Sequence, residues 1–279
     1  MSRASAAGKP EKSLALKFLA LMMAVAVSGA SAHDMYLMPV RFIVEDGTLV
    51  AVGLHNGDSF PESEVSPALE RVRDMKLLSE AGTLEAENMH VSGKTVQGQF
   101  RIRGKSSYVV IARTIPHALQ LSAKDFSAYL KEEGLEETLR WREEHGESQL
   151  PGRERYAKYA KSLLTSGGNN EFHTRPTNLA MEIVPESSPY DLKSGATLPV
   201  KVLLEGQPAV NAQVETSLAR AGSLTRTTIL GRTDAQGRIV LPTMASGRWR
   251  IHSVVMKRCA EPAIADWESS WASLTFELP

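Results

Sequence analysis

Short apolar runs separated by glycine and Asp-Gly turn signals recur along most of this chain, and they restrict the folds open to it. Residues 41–54 contain two strand-like runs joined at Asp46-Gly47, and residues 96–113 read as a hairpin that turns at 104–106. Several short strands at this turn spacing are typical of an antiparallel sandwich. We therefore expect residues 33–122 to form an N-terminal β-sandwich.

A second set of strand signals fills the C-terminal third. About seven alternating runs follow one another, with turn chemistry at Gly206-Gln207-Pro208 and at residues 233–238, where Gly237 is free to adopt a positive φ. A linker at 169–190 with one strand, Leu179 to Val184, precedes them. These features predict a second β-sandwich over residues 191–279.

The stretch between the two β-rich parts has a different periodicity. Apolar residues at helical spacing begin at Phe126, and Gly134 interrupts them, which predicts two short helices or one bent helix. A further helix is expected after Pro151-Gly152, ending at Gly167-Gly168. The predicted fold class is thus mainly β, with two β-sandwich domains and a helical insert at 123–168 between them.

The first 32 residues have the composition of a secretory signal peptide. Arg3, Lys9, Lys12 and Lys17 supply a basic n-region, and the apolar run from Leu14 to Val27 is shorter than the roughly 20 residues of a spanning helix. Ala30-Ser31-Ala32 has the small-x-small form of a cleavage site. We expect cleavage after Ala32, a periplasmic location and no stable membrane insertion of the mature chain.

Charge and cysteine content narrow the function classes. Without residues 1–32 the chain has 28 Lys and Arg against 31 Asp and Glu, so its net charge is near −3. Such a balance argues against a nucleic-acid partner. Cys259 is the only cysteine, so an intrachain disulfide is impossible and stability must come from core burial.

Cleavage after Ala32 would make His33 the first residue of the mature protein. Its free α-amine, with a pKa of about 7.7–8.0, and its imidazole, with a pKa of about 6.5, would both be nitrogen donors near neutral pH. Together they close a chelate ring on Cu, Ni or Co. The alternative is that His33 is an accident of processing, since signal peptidase needs only a tolerated residue there.

Any metal site must otherwise be assembled across the fold, because the sequence has no HxH, HExxH or CxxC motif. Asp34 is a candidate acceptor for a ring N–H of His33. His55 lies in the turn His55-Asn56-Gly57-Asp58 and would approach the mature N-terminus if the first strands pair. His252 lies in a predicted strand and has a partly exposed position as its alternative interpretation. His173, in the linker, is expected to be solvated.

Several segments in one order point to a known family: HDMYL at 33–37, FSAYLKEEGLEETL at 126–139, RERYAKYAKSLL at 153–164, MEIVPESSPYDLKSG at 181–195 and DWESSWASLTFELP at 266–279. Together they resemble an exported bacterial family, domain-of-unknown-function family 4198, often described as a periplasmic accessory of nickel and cobalt uptake. The resemblance implies a mature start at His-Asp and a strand histidine at the position of Val255. Residues 195–256 also resemble transthyretin-like and collagen-adhesin B-type sandwiches.

Three functions follow as expectations. The first is a non-enzymatic periplasmic protein that supports nickel or cobalt uptake, holds the ion with His33 and with donors among Asp34, His55 and His252, and passes it to an inner-membrane transporter. The second is a non-catalytic exported adhesion or interaction module. The third is a copper enzyme, which would need a further histidine and an open substrate face.

Overall fold

The alternating apolar runs form strands, and the glycine-rich segments between them form turns. A computed structural model describes residue 1 and residues 33–193, 195–242 and 245–279, and in these ranges it has 17 strands and two α-helices. The predicted signal peptide at 1–32 lies outside the described residues apart from Met1. The strands are β1 (Met35–Pro39), β2 (Leu49–Asn56), β3 (Val72–Ser79), β4 (Gly82–Glu85), β5 (Glu87–Ser92), β6 (Thr95–Arg101), β7 (Ser107–Thr114), β8 (His117–Leu121), β9 (Gly152–Thr165), β10 (Met181–Pro185), β11 (Leu198–Leu204), β12 (Gln207–Pro208), β13 (Gln213–Ala219), β14 (Arg226–Arg232), β15 (Arg238–Leu241), β16 (Gly247–Arg258) and β17 (Trp267–Leu278), and the helices are α1 (Ala123–Glu132) and α2 (Glu136–Glu144).

The described strands form three sheets. The first sheet has the order β1-β2-β6-β5, and the third sheet has the order β10-β11-β12 with β15 also paired to β11. The central sheet has nine strands in the order β14-β13-β16-β17-β9-β7-β3-β4, with β8 also paired to β9. Its β17–β9 pair is parallel, and its other pairs are antiparallel.

Two hydrophobic cores lie on opposite faces of the central sheet. Successive residues of β7 point to opposite faces, so Val109 and Ile111 enter the core under the third sheet while Tyr108 and Val110 enter the core under the first sheet. The mainly β fold class is confirmed. The two predicted sandwiches share the central sheet, and the described chain from residue 33 onward is one compact unit.

One part of the predicted helical insert is wrong. Residues 152–165 form strand β9, which lies between β17 and β7 in the central sheet. Because both faces of this strand are covered, Ala160 and Leu164 enter one core and Leu163 enters the other. A strand buried on both faces loses the period-2 pattern, and its apolar residues here coincide with helical spacing.

The hairpin predicted at 96–113 is also wrong. Strand β6 pairs with β2 and β5, whereas β7 pairs with β3 and β9 in the central sheet. The chain therefore changes sheets at 102–106, which strand alternation does not reveal. The earlier run around Ile43 makes only an isolated bridge to Thr165, because β1 is the partner of β2.

The two short helices are confirmed, with Gly134 between them at φ +65°. Ser122 caps α1 by accepting a hydrogen bond from the backbone N–H of Asp125. Phe126 and Leu130 of α1 pack with Trp267 and Trp271 of β17. The helices thus cover Trp267 and Trp271 at the start of β17. No helix in the described ranges is both long and apolar enough to cross a membrane.

Candidate metal centre

Strand β1 holds the two residues before it against the central sheet. All five residues of this strand are buried. Ser273 Oγ donates to the carbonyl of Met35 at 2.7 Å, and Thr275 Oγ1 donates to the carbonyl of Leu37 at 2.6 Å. The buried ammonium of Lys158 donates to the carbonyl of His33. These bonds fix His33 and Asp34, the two residues before β1, over β16 and β17.

His33 belongs to a partly exposed group that we call the outer cluster: His33, Asp58 and Glu64. Its Nδ1 lies 3.0 Å from Asp58 Oδ2 and 3.7 Å from Glu64 Oε2. The second oxygen of Asp58 accepts from the backbone N–H of Asp34 at 3.2 Å. Glu64 Oε1 accepts from the N–H of Ser59 at 3.0 Å, and hydrogen bonding by Ser59 lowers the pKa of Glu64. Both carboxylates are therefore held in position beside the ring.

Asp34 points the other way, into a buried group that we call the inner cluster: Asp34, Glu133 and His252. His252 comes from β16, and Glu133 is the C-cap residue of α1. His252 Nε2 lies 3.2 Å from Asp34 Oδ1 and 3.3 Å from Glu133 Oε2. Three distant segments of the sequence thus place one imidazole and two carboxylates in contact.

Arg250 forms an ion pair with the carboxylate oxygen of Asp34 that does not face His252. Its Nη1 lies 2.5 Å from Asp34 Oδ2, and its Nη2 lies 2.9 Å from Glu215 Oε1 and 3.0 Å from Ser217 Oγ. Burial alone would lower the pKa of His252, but the charge of Asp34 and the hydrogen bond and charge of Glu133 outweigh it and raise that pKa. Burial raises the pKa of Glu133, opposed by its hydrogen bond to His252, and burial also raises the pKa of Glu215.

A family model described as "Domain of unknown function (DUF4198)" matches residues 30–257. The chain belongs to this family. The resemblance seen in the sequence segments is thereby confirmed, and the matched range includes both clusters.

Two solved structures are similar to this DUF4198 protein at low scores. A segment of two fibronectin type-III domains from chicken tenascin has 8% identity and a TM-score of 0.21, with 88% of this chain and 98% of that chain covered. The three N-terminal domains of the highly immunogenic outer capsid protein of bacteriophage RB49 have 9% identity and a TM-score of 0.17, with 87% and 59% covered. Neither score supports an inference about function.

Of the four residues predicted as ligands in this DUF4198 protein, three lie in the clusters. His33 is in the outer cluster, and Asp34 and His252 are in the inner cluster. His252 is buried, with 7% of its side chain exposed, so a partly exposed position for it is wrong. Val255 packs against the core on the opposite face, as the odd offset between the two positions requires.

His55 lies in neither cluster of described residues. It pairs with Tyr36 in the β1–β2 register, and the two rings pack with centroids 5.4 Å apart. Burial lowers the pKa of His55. The pairing predicted between the first two runs is wrong, because β2 pairs with β1, and this pairing places the His55 ring against Tyr36.

Sequence reasoning missed Glu133, Asp58, Glu64 and Arg250, and it gave Asp58 only as a turn residue. Glu133 lies in the acidic stretch 132–137, and such a charge run is typical of a solvated helix face. Its position directly before Gly134 is the one available signal, since a glycine there ends the helix and directs the C-cap residue back toward the sheet. Glu64 and Arg250 carry no local signal.

Proposed function

We propose that the mature protein is a periplasmic metal-binding protein that supports nickel or cobalt uptake, with the ion held by His33, Asp58 and Glu64. The observation that carries this proposal is that Nδ1 of His33 faces both carboxylates, at 3.0 and 3.7 Å. This is the ring nitrogen that closes a six-membered chelate ring with the α-amine of the same residue.

Signal-peptide cleavage supplies the remaining donor. In the precursor the nitrogen of His33 is part of an amide, and cleavage after Ala32 converts it to an amine. Amine, imidazole and carboxylate donors suit Ni²⁺, Co²⁺ and Cu²⁺. The outer cluster would therefore gain its full affinity only after export, in the compartment where uptake begins.

The exposure of the outer cluster suits a carrier. The side chains of His33, Asp58 and Glu64 are 30%, 53% and 37% exposed. A membrane transporter would reach an ion held there without unfolding the protein. Holding and releasing an ion needs no bond-making step in a substrate, so we propose a carrier for an inner-membrane transporter rather than an enzyme.

Calorimetric titration of the mature protein with Ni²⁺ and Co²⁺ tests this proposal. We expect one equivalent of ion at the outer cluster, and this equivalent is lost when a single glycine precedes His33 or when His33→Ala removes the ring. The matched control is His90→Ala, which removes an exposed histidine of β5 outside both clusters. Cu²⁺ would bind more tightly at almost any such site, so copper affinity alone does not identify the transported ion.

A mature protein that binds the same number of ions with and without the added glycine would contradict this function. A peptide from the bacterial envelope that begins elsewhere than at His33 would also contradict it, because the amine would then be missing. The exported interaction module would remain as the better explanation.

A further inference from the structure

A single proton on Nε2 of His252 cannot make hydrogen bonds to both carboxylates that face this nitrogen. Its Nε2 faces Asp34 Oδ1 at 3.2 Å and Glu133 Oε2 at 3.3 Å. One nitrogen carries at most one proton, and hydrogen-bond geometry directs it to Glu133. Both distances also exceed the roughly 2.7–2.9 Å of a charge-assisted N–H···O bond. The oxygen Asp34 Oδ1 therefore lies beside the imidazole without a hydrogen bond from it.

The same separations fit donors that share one metal ion. A first-row ion such as Zn²⁺ binds imidazole nitrogen and carboxylate oxygen at about 2.0–2.2 Å in tetrahedral geometry, which places two donor atoms about 3.4 Å apart. The two contacts of His252 Nε2 lie at 3.2 and 3.3 Å. An ion between the three side chains would need only small movements of their atoms.

Arg250 leaves one oxygen of Asp34 for such an ion. Its Nη1 lies 2.5 Å from Asp34 Oδ2, and its Nη2 contacts Glu215 and Ser217. Outer partners of this kind orient a ligating carboxylate. Arg250 is shared between Asp34 and Glu215, so three carboxylates with Glu133 face one guanidinium, which leaves negative charge for a cation when His252 is neutral.

The surroundings of the inner cluster also favour a cation. A cavity of about 250 Å³ adjoins it, lined by the acidic residues Asp34, Asp58, Glu132, Glu133 and Glu215 and by the basic residues Arg250 and His252. Glu133 caps the carboxyl end of α1, where the helix dipole is negative. The cavity gives an ion a route to a cluster that is otherwise buried.

We propose that Asp34, Glu133 and His252 form a second divalent-cation site, which takes a borderline first-row ion such as Zn²⁺ or Co²⁺. The one-imidazole, two-carboxylate donor set, without sulfur, suits these ions. The site goes beyond the proposed function, since it uses no side chain of the outer cluster and no free amine. It is present whether or not cleavage has occurred.

Titration with Co²⁺, followed by its visible absorption and by calorimetry, tests this site in the mature protein extended by one glycine before His33. That extension removes the amine donor and leaves the inner cluster intact. We expect one equivalent of Co²⁺, with affinity reduced at least about tenfold by His252→Ala and by Glu133→Gln. His90→Ala serves as the control and should retain the spectrum and the affinity.

Failure of the extended protein to bind Co²⁺ would overturn the proposal, as would binding that survives both His252→Ala and Glu133→Gln. Glu133→Gln keeps the size of the side chain, so it separates loss of a ligand from loss of folding, which circular dichroism checks in each variant. The two proposals fail differently. Loss of the outer site alone leaves one ion in both N-terminal forms, whereas loss of the inner site alone leaves one ion in the mature form and none in the extended form.

Discussion

Asp34 connects the two clusters through separate atoms. Its carboxylate contacts His252 and Arg250, and its backbone N–H donates to Asp58 of the outer cluster. Its carbonyl accepts from the N–H of Gly57 at 2.9 Å. A substitution of the Asp34 side chain would therefore disturb the inner cluster directly. The backbone hydrogen bond from residue 34 to Asp58 of the outer cluster would remain.

The sequence makes His33 a candidate ligand and gives no sign of Glu133, for a physical reason. His33 follows a cleavage signal that is local in sequence and readable from residue size and polarity alone. The role of Glu133 depends on where the end of α1 meets β16, more than a hundred residues later. Residues whose chemistry is set by long-range packing have no signature in their own neighbourhood.

His173 is another residue whose surroundings the sequence did not show, and it gives a pH prediction. It was expected in solvent and is buried, with Nε2 donating to the carbonyl of Leu164 at 2.9 Å and Nδ1 lying 2.8 Å from Ser188 Oγ. Ser188 Oγ also accepts from the N–H of Tyr190, so its hydroxyl proton is free to point at Nδ1. With these contacts, both nitrogens of the neutral imidazole have a hydrogen-bond partner.

Burial lowers the pKa of His173 to about 4, below the value of about 6.5 in an unfolded chain. Between these values the unfolded state binds the extra proton, so the ring's contribution is present above pH 6.5 and is lost as the pH falls to 4. We expect about 3 kcal/mol of unfolding free energy to be lost over this range. Urea unfolding at several pH values should show a flatter dependence for His173→Gln, and an unchanged slope would contradict the assignment.

At the scale of elements, strand β9 shows the limit of reading periodicity. Its neighbours β7 and β17 place it inside the central sheet, with apolar residues on both faces and the buried Lys158 and Lys161 among them. Lys161 is paired with Glu182 of β10 at 2.8 Å. Alternation of apolar and polar residues predicts strands with one solvent-exposed face, as in much of the first sheet. It does not predict a strand that is covered on both faces.

Gly152, the first residue of β9, allows α1 to lie against the central sheet. A Cβ at this position would come within 2.2 Å of the Phe126 ring, which is fully buried. We expect Gly152→Ala to destabilise the protein by about 1–3 kcal/mol through overpacking. Chemical denaturation measures the loss, and the double variant Gly152→Ala with Phe126→Leu should recover part of it. Full stability of the single variant would show that α1 does not hold Phe126 there.

At the scale of the whole molecule, the inner cluster joins parts of the chain that the sequence separates widely. Asp34 precedes β1, Glu133 ends α1 and His252 lies in β16. The mainly β class followed from local turn and strand signals. The sharing of one central sheet by two cores did not, because strand partners are chosen by packing over the full length of the chain. The meeting of these three side chains is a consequence of that shared sheet.

An ion at the inner cluster would therefore stabilise the fold as a whole. Binding to the folded state alone adds about 2.7 kcal/mol when the free ion is at 100 times its Kd, which corresponds to a rise in Tm of roughly 5–10 °C for a chain of this size. We expect this rise on adding Zn²⁺ or Co²⁺ to the glycine-extended protein, and its reversal by a chelator, in thermal unfolding followed by circular dichroism. His252→Ala should unfold at the same temperature with and without the ion. Without the imidazole, the residues before β1, the end of α1 and β16 would no longer share one ion. An equal rise in that variant would therefore mean that the ion acts at other surface groups.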